Sequence, residues 1–238
     1  MKNNVDVVQW GTDRLKIGPW RGDARIAFIT PMGGVPASAA SIDRCLELLE
    51  AKGYRSALTA ALSAPEQVPF ANAGFTVYER LHLLRHDEKV LPPAPAHRLR
   101  RARPFDQPAI LELDELAFDS FWRLDRTSLR DARRATPVSR YRVADDDGIA
   151  GYAITGRAGP VGYLQRLAVH PDHQHRGIGT ALVVDALWWA HRRGAHSVLV
   201  NTQVTNTGAL SLYEHLGFRP EPHGLAVLER PFAPRDAP

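Results

Sequence analysis

Leu164-Gln165-Arg166-Leu167-Ala168-Val169-His170-Pro171-Asp172-His173-Gln174-His175-Arg176-Gly177-Ile178-Gly179-Thr180-Ala181-Leu182 reads as a strand, a short loop and the opening of a long helix. The apolar run stops at Val169, and two glycines stand where the helix begins. Over residues 179–193 apolar side chains recur at Leu182, Val183, Ala186, Leu187 and Ala190, the spacing of one helical face, before Gly194 ends it. Glycines lack a Cβ, so backbone N–H groups can close on a phosphate, and the helix N-terminus adds the positive end of its dipole. The stretch is therefore a candidate anion site. It is not a P-loop, since no lysine occurs beyond residue 89. It also departs from the dinucleotide fingerprint, because Leu182 stands at the third glycine position.

Outward from this stretch the chain alternates strands and helices. Residues 98–103 predict a strand, and Asp106 and Pro108 open a helix carrying Ile110, Leu111, Leu113, Leu116 and Ala117. A short helix follows over about residues 128–135, stopped before Pro137. Three strands come next, 139–144, 149–155 and 162–169, joined by turns at 145–148 and 156–160. After the long helix come a strand at 197–204, a helix at 207–216 closed by Gly217, and a final strand at 225–228. The order predicts an α/β fold, a mixed and mostly antiparallel sheet flanked by helices.

The whole chain has 238 residues, 44% hydrophobic and 24% charged, which excludes a wholly disordered protein and leaves apolar material for a core. Its single cysteine, Cys45, excludes an intramolecular disulfide and a multi-cysteine zinc site and fits a reducing compartment. Residues 1–9 lack the apolar core of a signal peptide, and no apolar run approaches the ~20 residues of a membrane helix. A cytoplasmic protein without membrane contact is expected. Arg98, Arg100, Arg101 and Arg103 cluster without interleaved aromatic residues for base stacking, so they read as solvated arginines of one strand face and no nucleic acid is expected.

Residues 91–96 hold three prolines and predict a stiff, extended linker between a first half, 1–90, and a second, 97–238. The first half partly repeats the ending of the second. A helix at 42–52 closes at Gly53, a strand follows at 56–62, a short helix ends in Gly74-Phe75, and a strand at 77–84 comes last. Gly194, the strand 197–204 and Gly217-Phe218 stand in the same order, which predicts an internal duplication with a shorter, degenerate early copy.

Gln174-His175-Arg176-Gly177-Ile178-Gly179 resembles the pyrophosphate loop of GNAT-superfamily N-acetyltransferases, Gln/Arg-x-x-Gly-x-Gly/Ala. Leu167-Ala168-Val169-His170-Pro171 resembles the strand and entry turn before it. Asn206, with Ala209-Leu210-Ser211-Leu212-Tyr213-Glu214-His215-Leu216-Gly217-Phe218, resembles that family's second signature. The resemblance covers about residues 98–232, and its motifs are closest to ribosomal-protein alanine N-acetyltransferases. The two-half plan is similar to tandem members such as mycothiol synthase. The resemblance implies the GNAT fold and transfer of acetyl from acetyl-CoA, as cosubstrate and without a metal, to a primary amine by direct attack. The acceptor it implies is the α-amine of a protein or peptide, or a small-molecule amine. It implies that Gln174 and the N–H groups of His175, Arg176, Gly177, Ile178, Gly179 and Thr180 hold the coenzyme pyrophosphate. Leu167, Ala168 and Val169 would line the pantetheine arm, one N–H there polarising the acetyl carbonyl. Asn206 would bond the pantetheine amide, and Tyr213 would protonate the departing thiolate.

Other readings of the same residues stay open. Tyr213 fits a core tyrosine, and Asn206 a helix N-cap. The early copy has Phe70 where Tyr213 stands, four before the glycine, and residues 33–38 do not fit the pyrophosphate loop, so the first half is expected to be catalytically silent. The Glu that ribosomal-protein acetyltransferases carry five residues before the motif Asn is here Asn201, and neither neighbouring strand holds a carboxylate. A water on Gln165, Asn201 or Gln203 would then relay the proton, or the acceptor is an α-amine, partly neutral already at pH 7. In the family the acceptor lies over residues 118–126 and 220–224. His170, His173 and His175 offer a metal reading without the spacing of a zinc motif, and no metal site is expected. A non-catalytic acyl-CoA sensor or scaffold is the alternative function, and monomer and homodimer are both open.

Overall fold

The computed structural model describes residues 5–33, 36–87, 90–94, 97–146 and 148–233. They fall into two compact units, Met1–His82 with Pro222–Pro238, and Leu83–Glu221.

In the first unit, β1 (Asp6–Trp10), β2 (Asp13–Trp20) and β3 (Asp23–Pro31) form an antiparallel meander. Arg21 and Gly22 both take positive φ, 46° and 86°, the primed-turn twist that suits a two-residue hairpin. α1 (Ala39–Ala51) then crosses to β4 (Ser56–Thr59), which lies parallel to β3 from Ile26↔Ser56 to Ile29↔Thr59. α2 (Ala64–Asn72) leads into β5 (Thr76–His86), whose far end enters the second unit. Leu15, Ile17, Ile29, Ile42, Leu49 and Phe70 form a buried core.

The second unit runs through β6 (Leu99–Arg101), α3 (Gln107–Ala117), α4 (Arg126–Arg134), β7 (Val138–Asp145), β8 (Ile149–Ala158), β9 (Val161–Val169), α5 (Ile178–Arg192), β10 (Ser197–Gln203), α6 (Thr207–His215) and β11 (Arg219–Pro220). Its strands lie in the order β6-β7-β8-β9-β10, antiparallel except for the β9–β10 pair. Residues of β8 alternate between two cores. Tyr152 and Ile154 meet Ile110, Leu113 and Leu129 of α3 and α4, whereas Ala153 faces Leu182, Val183 and Leu187 of α5. The expected mixed α/β sheet flanked by helices is what forms.

The two units share local structure. β9 and β10 are parallel over four pairs, Val161↔Ser197 to Leu164↔Val200, as β3 and β4 are. Phe75 N–H reaches Phe70 O at 3.1 Å and Phe218 N–H reaches Tyr213 O at 3.0 Å. Gly74 and Gly217, at φ 83° and 89°, make the same helix-ending turn.

Three expectations change. The strand at the end of the chain, β12 (Leu225–Pro231), belongs to the first unit rather than to a domain spanning 97–238. It lies antiparallel between β4 and β5, with Arg230 opposite Ala57 and Leu228 opposite Val77. Strand order in a sheet is set by ladder partners and not by chain order, which is why the linear reading misplaces it. The proline-rich segment is not a bare spacer either: Leu91 packs on the α5 core and Pro92 O accepts from Trp188 Nε1 at 3.0 Å. Its residues 95 and 96 lie outside the described residues. Arg100, finally, is not simply solvated. It grips the buried Asp106 through both terminal nitrogens, at 2.7 and 2.9 Å, and Asp145 through Nε at 2.6 Å.

Candidate active site

α5 starts from a turn that few residues other than glycine tolerate. Gly177 is its N-cap at φ 80°, and His175, two residues before, is also left-handed at φ 59°. The first intrahelical bond runs from Ala181 N–H to Gly177 O, leaving the N–H groups of Gly177, Ile178, Gly179 and Thr180 without an intrahelical acceptor. His97 bonds the Arg176 carbonyl through Nε2 at 2.6 Å, and a Cβ on Gly177 would stand 3.3 Å from that nitrogen. Gly179 lies against α6 and β9, where a Cβ would come within 3.2 Å of Leu212 and 3.6 Å of Val169. Gln174, His175 and Arg176 are exposed beside this helix end.

β9 loses one neighbour just before that turn. Its ladder with β10 ends at Leu164↔Val200, while its ladder with β8 continues to Val169. His170 N–H bonds Ala150 O at 2.9 Å, on the β8 side. Because amides alternate along a strand, Ala168 also turns to β8, and Leu167 and Val169 turn to the side β10 has left. Ala168 thus has no polar group for a ligand on the open edge, and its side chain is buried in the α3–α4 core. This corrects its place among the coenzyme residues. Among the described residues, Leu167 and Val169 have no ladder partner on that side.

Asn206 caps α6, its Oδ1 accepting from Ala209 N–H at 3.0 Å, which leaves its amide nitrogen as a donor. Tyr213 is buried two residues before the end of α6, its ring 5.6 Å from that of Phe218. Its hydroxyl has no hydrogen-bond partner among the described residues, and burial pushes its pKa above the ordinary 10. The hydroxyl keeps its proton at neutral pH.

The α3–α4 side holds groups that sequence reasoning missed. Arg166 of β9 meets the fully buried Asp114 of α3 at two points, both 2.8 Å. Tyr152 OH also donates to Asp114. The pair extends to residues 118–125: Asp114 accepts from Leu124 N–H at 2.7 Å, Arg166 donates to Trp122 O at 2.8 Å, and its guanidinium lies 3.4 Å over the Phe118 ring. An aspartate on the apolar face of α3 and an arginine inside an apolar strand were the available signals. Phe121 and Trp122 stack edge to face at 5.0 Å in this loop. Of residues 220–224, Pro220 and Glu221 belong to the second unit and the rest to the first. The exposed face of α4 repeats arginine at 126, 130, 133 and 134, so this side is basic.

His170 and His173 pack edge to face at 5.5 Å, with His173 Nδ1 3.6 Å from Asp146. Among the described residues no three His, Cys, Asp or Glu side chains group as metal ligands, and no helix is long and apolar enough to cross a membrane.

Residues 104–218 match the profile of the acetyltransferase (GNAT) family. N-alpha-acetyltransferase 30 of Xenopus laevis is 42% identical over 57 residues, 24% of this chain and 21% of that protein. The ribosomal protein bS18 alanine N-acetyltransferase of Escherichia coli K12 is 31% identical over 78 residues, 33% of this chain. The chain thus spans about half, 53%, of the length of the second relative and far less of the first. A tandem GNAT protein from the clavulanic acid biosynthesis pathway superposes with a TM-score of 0.65 at 18% identity, over 97% of this chain and 83% of its own, a likeness of fold. Over residues 104–218 the chain is therefore similar to the acetyltransferase (GNAT) family.

Proposed function

We propose that this protein transfers an acetyl group from acetyl-CoA to a primary amine, in a single site on the second unit. The observation that carries the reading is the junction of β9 and α5, where a strand edge that β10 has left runs directly into a helix end whose first four N–H groups have no intrahelical acceptor. Those N–H groups, with Gln174, His175 and Arg176 around them, suit a pyrophosphate. The backbone of Leu167 and Val169 suits the amides of an extended pantetheine arm, and Asn206 adds a donor. Acetyl-CoA supplies the activated thioester. The amine nitrogen bonds the acetyl carbon as the carbon–sulfur bond breaks. Tyr213 gives its proton to the sulfur and regains one from water, while the new amide's nitrogen loses its extra proton to solvent. An α-amine acceptor fits a site without a carboxylate at position 201, being already partly neutral at pH 7.

Thermal unfolding with and without acetyl-CoA tests the coenzyme site. Ligand at 100 times its dissociation constant adds about 2.7 kcal/mol. Turnover on peptides with free and blocked N-termini then tests the acceptor. No thermal shift overturns the site; a shift without turnover on any amine supports the acyl-CoA sensor instead; preference for lysine side chains overturns the α-amine reading.

A further inference from the structure

α4 carries an arginine at every turn of one face. Arg126, Arg130, Arg133 and Arg134 stand at i, i+4, i+7 and i+8 and are all exposed, while Leu129 is buried and Ala132 packs on the α3–α4 core. Elsewhere in this unit arginines meet carboxylates: Arg100 pairs with Asp106, Arg123 with Glu115, Arg140 with Asp185 and Arg166 with Asp114. On α4, Arg133 lies 5.0 Å over the Tyr141 ring, and none of the four enters an ion pair with a described residue. The arrangement does not serve the helix. Like charges one turn apart repel, and Arg126, at the first helical position, faces the positive end of the dipole.

Both ends of this helix are held to β9. Before it, Leu124 N–H bonds Asp114, the partner of Arg166. After it, Thr136 accepts from Gln165 Nε2 at 3.4 Å. Gln165 is the residue that the bulge between β8 and β9 passes over, just beyond the last β9–β10 pair, Leu164↔Val200. Its amide is closed off, with Oε1 sealed and without a donor among the described residues, so it acts as a strut and not as a ligand group. The arginine face is thus carried by a helix anchored where β10 leaves β9.

We propose that this face receives the acidic side chains of a peptide acceptor: the chain that brings its α-amine to β9 carries Asp or Glu among its first residues. The inference rests on the acetyl-transfer reading above and deepens it by naming the acceptor class. Arginine presents a planar fork that pairs a carboxylate at two points. An extended peptide places alternate side chains roughly 7 Å apart on one side, near the roughly 5 Å between helical turns, a difference that flexible arginine stems take up. A nucleic acid is also anionic, but its bases need ring faces to stack on. The rings of this side are engaged, Tyr141 by Arg133 and Phe121 by Trp122 at 5.0 Å.

Acetylation of three peptides with free N-termini tests this: one with three Asp or Glu in its first six residues, its Asn/Gln counterpart and its Lys counterpart. The acidic peptide is expected to have the highest kcat/KM, about tenfold above the neutral one, the worth of two or three exposed ion pairs, and to lose that margin in about 0.5 M salt. Arg126→Gln with Arg130→Gln should erase the margin through KM. Arg126→Glu with Arg130→Glu should pass the advantage to the Lys peptide, a reversal that loss of structure does not produce. Equal kcat/KM for the acidic and neutral peptides in the parent overturns the proposal, and so does a margin that survives both double variants. A single-stranded oligonucleotide that binds the parent and not the variants, with no preference among the peptides, gives the face to nucleic acid and also overturns it. Fluorescence anisotropy with the labelled acidic peptide separates the two readings. A parent that binds this peptide and acetylates none strikes the acetyl-transfer reading and leaves the face its acidic partner; a parent that does not bind it overturns the proposal whatever its activity.

Discussion

Arg166 and Asp114, on a strand and a helix 52 residues apart in the chain, meet in a two-point ion pair with both contacts at 2.8 Å. Each partner also holds the loop at 118–125, Asp114 through Leu124 N–H and Arg166 through Trp122 O. One residue away from Arg166 lies Gln165, at the bulge. The strand proposed to carry the coenzyme is thereby tied to the loop proposed to face the acceptor.

Arg166→Met leaves Asp114 buried without its countercharge and should cost about 3–5 kcal/mol in urea unfolding. The double variant with Asp114→Leu should recover most of that loss, because an apolar pair of similar volume is nearly neutral. Additive losses would mean that the two side chains are not energetically coupled.

His97 bonds the carbonyl just before the left-handed Gly177. His97→Ala should weaken acetyl-CoA binding about fivefold by calorimetry, as one hydrogen bond is lost, and leave kcat at saturating coenzyme unchanged. Gly177→Glu, which adds both a strained backbone and a like charge, should abolish binding. A His97→Ala variant with lowered kcat and intact coenzyme affinity would contradict the positioning role.

Tyr213→Phe should lower kcat while coenzyme binding and melting temperature hold, since the hydroxyl has no hydrogen-bond partner among the described residues. Burial raises the phenol above its ordinary 10, so the folded state prefers the protonated form. The stability this contributes is fully present below pH 10 and is lost only as pH climbs through the raised value. No falling limb from Tyr213 is therefore expected below about pH 10, and kcat/KM should rise with the acceptor's own ionisation, near 8 for an α-amine. A falling limb below pH 9 that vanishes in Tyr213→Phe would refute this.

Cys45 lies in the core of the first unit with no exposure, and burial pushes its thiol up to about 12. It should resist iodoacetamide at pH 8 in the native protein and react in urea. Direct transfer also predicts that Cys45→Ala forms product without a change in burst or steady state, which rapid-quench kinetics would show.

Periodicity and glycine positions made most of the second unit legible. Gly177, Gly194 and Gly217 mark helix ends because positive φ is costly elsewhere, and those ends sit within two residues of where the sequence predicts them. The meander β1–β3 is absent from the sequence reading above, although Gly11 and Arg21-Gly22 recur about ten residues apart at its two turns. Asn206 reads correctly as a cap because capping is local, reaching only three residues to Ala209. Asp114 with Arg166, and the orphan oxygen of Gln165, depend on groups brought together from distant segments, and no spacing rule encodes them.

The place of β12 between β4 and β5 bears on how the protein is made. A ribosome delivers residues in order, and Leu225 emerges well over a hundred residues after β5. At 5–20 residues per second the slot between β4 and β5 stands open for on the order of ten seconds, with ladder groups on both sides unpaired. The first unit, earliest to leave the tunnel, is therefore the later one to be completed, and nascent chains halted before residue 225 should be the ones that chaperones hold.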